Sequence, residues 1–159
     1  MGKGVYMRIL VFSDSHKDVD SCARVIRNII GVDMVLHAGD HINDAKELCR
    51  MFPNIEFEYV PGNCDFSADD SEVVIEAEGK KIFLTHGHGY SVKYDDTFSE
   101  LLNRAKSLGC DCAVFGHTHQ SLCDPRPGIM LLNPGSIKNG TYAVIEIENG
   151  VLKAAICNA

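Results

Sequence analysis

Short groups of acidic, amide and imidazole side chains recur along this chain: Asp14-Ser15-His16, Gly39-Asp40, Gly62-Asn63, His86 and Gly116-His117-Thr118-His119. Carboxylate, imidazole and amide oxygen are borderline-to-hard ligands that suit Mn, Fe, Zn or Ni. The absence of cysteine from Asp14, His16, Asp40, Asn63, His86, His117 and His119 argues against a structural zinc site. A set of this kind suits a catalytic metal centre. In Asp14-Ser15-His16 and His117-Thr118-His119, alternate side chains of an extended segment fall on one side, so each pair can face one pocket. Gly39, Gly62, Gly87 and Gly116 stand beside these residues and would let the backbone turn sharply there.

The elements that must position them follow from the apolar pattern. Strand-like runs are Arg8 to Ser13, Met34 to Ala38, Ile55 to Val60, Glu72 to Ala77, Lys81 to Thr85, Ala113 to Phe115, Ile129 to Asn133, Tyr142 to Ile147 and Val151 to Ile156. Several are short and uniformly apolar, as strands covered on both faces are. Val19, Cys22, Ala23, Ile26, Ile29 and Ile30 recur at helical spacing, with Asp18 as cap and Gly31 as stop. A second helix is expected from Asn43 to Met51, ended by Pro53, and a third from about Thr97 to Leu108, ended by Gly109. Glu78-Gly79-Lys80 and Asn149-Gly150 read as hairpin turns, and the five prolines all read as turn residues. The expected fold class is α/β: two packed, mixed β-sheets flanked by helices, as a single domain over residues 1–159. Each candidate ligand then falls at the carboxyl end of a strand, where α/β sheets bind their ligands.

With its motifs in this order the chain resembles the calcineurin-like metallophosphoesterase superfamily, whose pattern is D-x-H, G-D, G-N, H and G-H-x-H. The resemblance is closest to the small YfcE-like phosphodiesterases and extends to Asn133-Pro134-Gly135-Ser136. It implies a phosphoesterase, a phosphodiesterase before a monoesterase, with two divalent metal ions: Mn first, with Ni, Fe, Zn or Mg as alternatives. It puts Asp14, His16 and His119 on one metal, Asn63, His86 and His117 on the other, and Asp40 between them, with Asp40, Asn63 and His86 as the catalytic core. Two cations ~3.5 to 4 Å apart need a bridging anion, and the implied reaction is in-line attack on phosphorus by a hydroxide shared between them. The same fold in the small subunit of the retromer coat serves as a protein-interaction scaffold, which is the alternative function.

Where many superfamily members carry G-N-H, this chain has Cys64. A thiol of ordinary pKa about 8.5 is mostly protonated at pH 7 but matches poorly the imidazole's reach and proton-donating role. Either the enzyme favours esters with good leaving groups, or Cys64 is a tolerated small residue of the loop. Cys64, His41 beside Asp40, and His88 beyond His86 are the substrate-binding candidates. His37 reads as structural, and Asp65 as orienting Asn63 or its loop. Asp69-Asp70 and Asp95-Asp96 read as solvated loops. Asn133-Pro134-Gly135-Ser136 reads as a turn near the pocket, outside the catalytic list.

The seven cysteines lack a CxxC pair and read as reduced thiols, five of them as small core hydrophobes. Cys110-Asp111-Cys112 lacks the context of a redox motif. The net charge of −7, without a Lys/Arg cluster, excludes an extended nucleic-acid surface; bound cations would supply positive charge locally. No apolar run reaches the ~20 residues of a membrane span, and the run Ile9 to Phe12 is too short for a signal peptide. The expected setting is cytoplasmic, with a small phosphoester substrate and an assembly compatible with a homodimer.

Overall fold

The computed structural model describes residues 6–67 and 69–159. Along them run β1 (Tyr6–Phe12), α1 (Val19–Asn28), β2 (Met34–His37), α2 (Ile42–Met51), β3 (Glu56–Tyr59), β4 (Glu72–Ala77), β5 (Lys80–Thr85), α3 (Ser99–Ser107), β6 (Cys112–Val114), β7 (Leu122–Arg126), β8 (Ile129–Asn133), β9 (Thr141–Glu148) and β10 (Val151–Asn158). They form two five-stranded sheets, ordered β10-β9-β1-β2-β3 and β4-β5-β6-β8-β7. Both are mixed. In the first, β1, β2 and β3 are parallel while β9 and β10 pair antiparallel. In the second, β5, β6 and β8 are parallel, with β4 and β7 antiparallel at the edges.

The strand period of two sorts the apolar residues into layers. Ile9 and Val11 of β1 pack with Met34, Leu36 and Ile145 on the inner face of the first sheet, against Ile82, Leu84, Val114 and Leu132 of the second. Leu10 and Phe12, one step out of phase, meet Val35 and the α1 residues Cys22, Ala23 and Ile26 on the outer face. Phe83, Ala113, Phe115 and Leu131 form the opposite outer face, under Leu101, Leu102 and Ala105 of α3. Burying each such large side chain contributes roughly 1.5–3 kcal/mol, so the two-faced strands are the most strongly held part of the molecule. The expected α/β architecture of two packed mixed sheets flanked by helices is the observed one.

Several local expectations are corrected. Strand β7 escaped the periodicity reading because Pro125 interrupts it; as an edge strand it tolerates a residue without an N–H, and Pro125 pairs with Met130 instead of forming a turn. Helix α1 is capped as expected, Asp18 Oδ1 accepting from the Ser21 N–H at 3.2 Å, but it ends at Asn28. Ile29 is extended and Ile30 is 88% exposed, so neither continues the helical stripe to Gly31. Of the cysteines, Cys22, Cys110 and Cys112 are buried while Cys49, Cys123 and Cys157 are only partly so; all are free thiols.

The hairpins at Glu78-Gly79 and Asn149-Gly150 carry positive φ at both central residues, as tight two-residue turns between twisted strands require. Among the described residues no helix is long and apolar enough to cross a membrane.

Candidate metal centre

The carboxyl ends of β1, β2, β5 and β6 are stitched into one surface. Ala38 N donates to Phe12 O and Asp14 N to Gly39 O within the first sheet, while Gly116 N donates to His86 O within the second. His86 then joins the two, its Nδ1 lying 2.7 Å from Ala38 O. A carbonyl only accepts, so Nδ1 carries the proton and Nε2 presents its lone pair to the pocket.

The backbone there does not follow the extended path expected for Asp14-Ser15-His16 and His117-Thr118-His119. Asp14 (φ 52°), His16 (φ 43°), Asp40 (φ 59°), His117 (φ 68°) and His119 (φ 61°) all occupy the left-handed region. The side chains converge because each peptide turns back tightly, not because they alternate along a pleat. Such conformations cost of order 1–3 kcal/mol each in non-glycine residues and persist where the surroundings over-determine them.

Nor do all the adjacent glycines serve to turn the chain. Gly39 (φ 102°) and Gly87 (φ 105°) do, whereas Gly62 and Gly116 provide room: a Cβ on Gly62 would collide with the Asp40 carboxylate, and one on Gly116 with the Ser13 hydroxyl.

Ligand-capable atoms of Asp14, His16, Asp40 and His119 lie within 4.8 Å of one another. Asp14 Oδ1 is 3.2 Å from His119 Nε2, 3.9 Å from His86 Nε2 and 4.0 Å from His16 Nε2. Asp40 Oδ2 is 3.5 Å from His86 Nε2, and Asn63 Oδ1 is 3.1 Å from the same nitrogen. The His117 ring lies edge-on to His86, with centroids 5.0 Å apart.

The carboxylates are oriented from behind. Asp14 Oδ2 accepts from Ser13 Oγ (2.6 Å) and the His117 N–H (3.1 Å), and Asp40 Oδ1 accepts from the Cys64 N–H (3.0 Å). Asp14 Oδ1 is left buried with no hydrogen-bond partner among the described residues. A buried anionic oxygen facing several imidazole nitrogens fits a cation, since an uncompensated buried charge is costly.

Electrostatics keep His16, Asp40 and His117 in ligating form. Loss of hydration, with the neighbouring His86 and Lys93, pushes His117 down to about 4, so its imidazole is neutral at pH 7. Burial lowers His16 and His88 as well. Burial would raise the Asp40 carboxyl, but His86, the Cys64 N–H and His16 outweigh it and hold it below the ordinary carboxylate range. The exposed Cys64 thiol is pushed up, by loss of hydration first and then by Asp40, which keeps it protonated at neutral pH. His41 lies against His16, with ring centroids 4.9 Å apart, and His88 against His86, at 5.6 Å.

Supporting residues emerge around the ligands. Asp65 and the Asn133–Ser136 turn stand where the sequence reading puts them, and the partners of His37 do not show in motif spacing. Gly39 N donates to His37 Nδ1 (3.2 Å), so His37 Nε2–H donates to Ser15 Oγ (2.9 Å), which donates to Asp44 Oδ2 (2.6 Å); that oxygen also accepts from Lys17 N (2.8 Å). This buried chain braces the Asp14–Lys17 turn against α2. Asn133 Nδ2 donates to Gly116 O (3.1 Å) and Thr118 Oγ1 (3.0 Å), and Ser136 Oγ to Asp14 O (2.8 Å), so the Asn133–Ser136 segment clamps both ligand loops. Asp65 accepts from Gly62 N (2.9 Å) and Ile42 N (3.0 Å), fixing the loop of Asn63.

Residues 7–150 match the calcineurin-like phosphoesterase superfamily domain. The chain belongs to that superfamily. It is 34% identical to the probable metallophosphoesterase YsnB of Bacillus subtilis, over 90% of this chain and 86% of the relative. It is 28% identical to the phosphodiesterase MJ0936 of Methanocaldococcus jannaschii, over 81% of this chain and 83% of the relative. A crystal structure of a predicted phosphoesterase from Streptococcus pneumoniae superposes with a TM-score of 0.80 at 28% identity, covering 98% of this chain and 91% of that one. This member of the superfamily is a metal-dependent phosphoesterase.

Proposed function

We propose that the chain is a cytoplasmic phosphodiesterase that works with two divalent cations, manganese foremost. Asp14, His16 and His119 would hold one, Asn63, His86 and His117 the other, and Asp40 would lie between them. The observation that carries this reading is the buried, unpartnered Asp14 Oδ1 among the Nε2 atoms of His16, His86 and His119.

When bound, the cations would lower the pKa of a coordinated water toward neutrality and neutralise charge on the phosphoryl oxygens. The chain's own residues prepare the site. The Ala38 carbonyl fixes the His86 tautomer, the Ser13 hydroxyl and His117 N–H leave Asp14 one free oxygen, and the Cys64 N–H leaves Asp40 Oδ2 free. With donors already oriented, less ordering remains at the moment of ligation.

The preference for diesters rests on the likeness to a phosphodiesterase, and Cys64 bears on the leaving group. A raised thiol at the position of the superfamily's histidine is a weak proton donor to a leaving alkoxide, so esters that depart without assistance are favoured. His41 and His88 would meet phosphate oxygens, a role supported by their rings lying against those of His16 and His86. A scaffold of the same fold would have no need of all seven ligands.

Titration of the metal-free protein with Mn tests the reading. It expects about two equivalents per chain, in keeping with a two-metal site, and binding of none at all would exclude it.

A further inference from the structure

A cleft of about 510 Å³ opens beside the ligand loops, between the segment joining β5 to α3 and the segment leading into β7. Thr118 connects it to the proposed centre: it stands between His117 and His119 and lines the cleft. Its hydroxyl is held by Asn133 Nδ2 (3.0 Å) and by the Gln120 N–H (3.2 Å). The cleft thus borders the loop that carries His117 and His119.

The lining is of two kinds. The partly buried Phe98 and the 90%-exposed Tyr94 offer aromatic surface, while Phe115, 1% exposed and 5.3 Å from Phe98 between ring centroids, forms the floor. Lys93, Asp96, Gln120 and Ser121 add a cation, an acceptor, an amide and a hydroxyl. A plain alkyl arm would leave the aromatic faces and polar groups unused, and a plain aryl arm would leave the polar ones unpaired. A planar group with hydrogen-bonding edges uses both, and the volume accommodates a group of nucleoside size.

We propose that this cleft holds one arm of the diester and that the arm is nucleoside-like, a planar base with a hydroxylated sugar. The assignment rests on the phosphodiesterase reading and extends it to a substrate class. Tyr94 and Gln120 set the preference: the ring supplies a stacking face, and the amide reads a polar edge.

The test compares two diesters with the same 4-nitrophenolate leaving group, the 4-nitrophenyl esters of thymidine 5′-phosphate and of methyl phosphate, with added Mn. The expected kcat/KM favours the thymidine ester by about tenfold or more, as base stacking on aromatic side chains allows. The exposed double variant Tyr94→Ala/Gln120→Ala should bring the ratio toward one. Saturation-transfer NMR with thymidine on the metal-free chain gives a readout independent of turnover, and its base-proton signals should fade in the double variant. A ratio near one in the unaltered chain overturns the cleft assignment and leaves the phosphodiesterase reading standing. Hydrolysis of neither ester overturns both.

Discussion

Asp14 Oδ1 lies 3.2 Å from His119 Nε2, yet it is buried and accepts no hydrogen bond. The other oxygen, Oδ2, is satisfied by Ser13 and the His117 N–H. The carboxylate is thus half prepared for something the protein itself does not supply. Asp14→Asn keeps an oxygen for Ser13 and His117 and turns an amide N–H toward the imidazoles. The metal-free variant should be as stable as the parent or more stable by about 1 kcal/mol, because an unpaired buried charge is removed. Added Mn should raise the melting temperature of the parent, since a ligand that binds only the folded state stabilises it, and should leave the variant unchanged. Thermal melts with and without Mn check both halves.

Gly116 is predicted to tolerate no side chain. A Cβ there meets Ser13 Oγ and, at 2.8 Å, Asp14 Oδ2, so the carboxylate would be displaced. Gly116→Ala should lose about 1–3 kcal/mol in urea unfolding, the range for overpacking a tight site, together with Mn uptake.

His37 gives the fold an acid-sensitive brace. Its ring is 1% exposed, and loss of hydration holds it down to about 4, below the ordinary value near 6.5. Because the folded pKa is the lower one, this contribution is fully present above pH 6.5 and is lost as pH falls toward 4. The shift corresponds to roughly 3 kcal/mol at about 1.4 kcal/mol per unit. Urea midpoints of the metal-free protein should fall between pH 7 and pH 4.5, and His37→Asn should flatten that dependence while lowering stability at pH 7.

Cys64→His restores the imidazole that many superfamily members carry at this position. Turnover should rise more for diesters with poor leaving groups than for 4-nitrophenyl esters, because only the former need a proton at the departing oxygen. Steady-state kinetics across leaving groups of graded pKa checks this, and an equal change throughout would count against a proton-donor role here.

The strands and the residues at their ends were legible because apolar runs such as Ile9–Phe12 and Ile82–Leu84 end abruptly in polar residues of ligand type. The local geometry was not. Left-handed φ at Asp14, His16, Asp40, His117 and His119 is eased by the tolerance of Asp and His for that region, but the same residue types occur throughout extended and helical segments and do not mark it. Strand β7 was hidden by Pro125, which only an edge position excuses. The Ser15–His37–Asp44 chain and the clamp by Asn133 and Ser136 join common residue types far apart in sequence, so spacing carries no trace of them. The one hint lay in Asn133-Pro134-Gly135-Ser136, legible as a turn and resembling the superfamily.

The account turns on Asp40, whose Oδ1 is tied to the Cys64 N–H and whose Oδ2 faces His86 at 3.5 Å. The most direct measurement is Mn-dependent hydrolysis of bis(4-nitrophenyl) phosphate by the parent and by Asp40→Asn, with folding of both checked by circular dichroism. Metal-dependent turnover in the parent and its abolition in the folded variant are predicted. Turnover retained by Asp40→Asn would contradict the two-metal account.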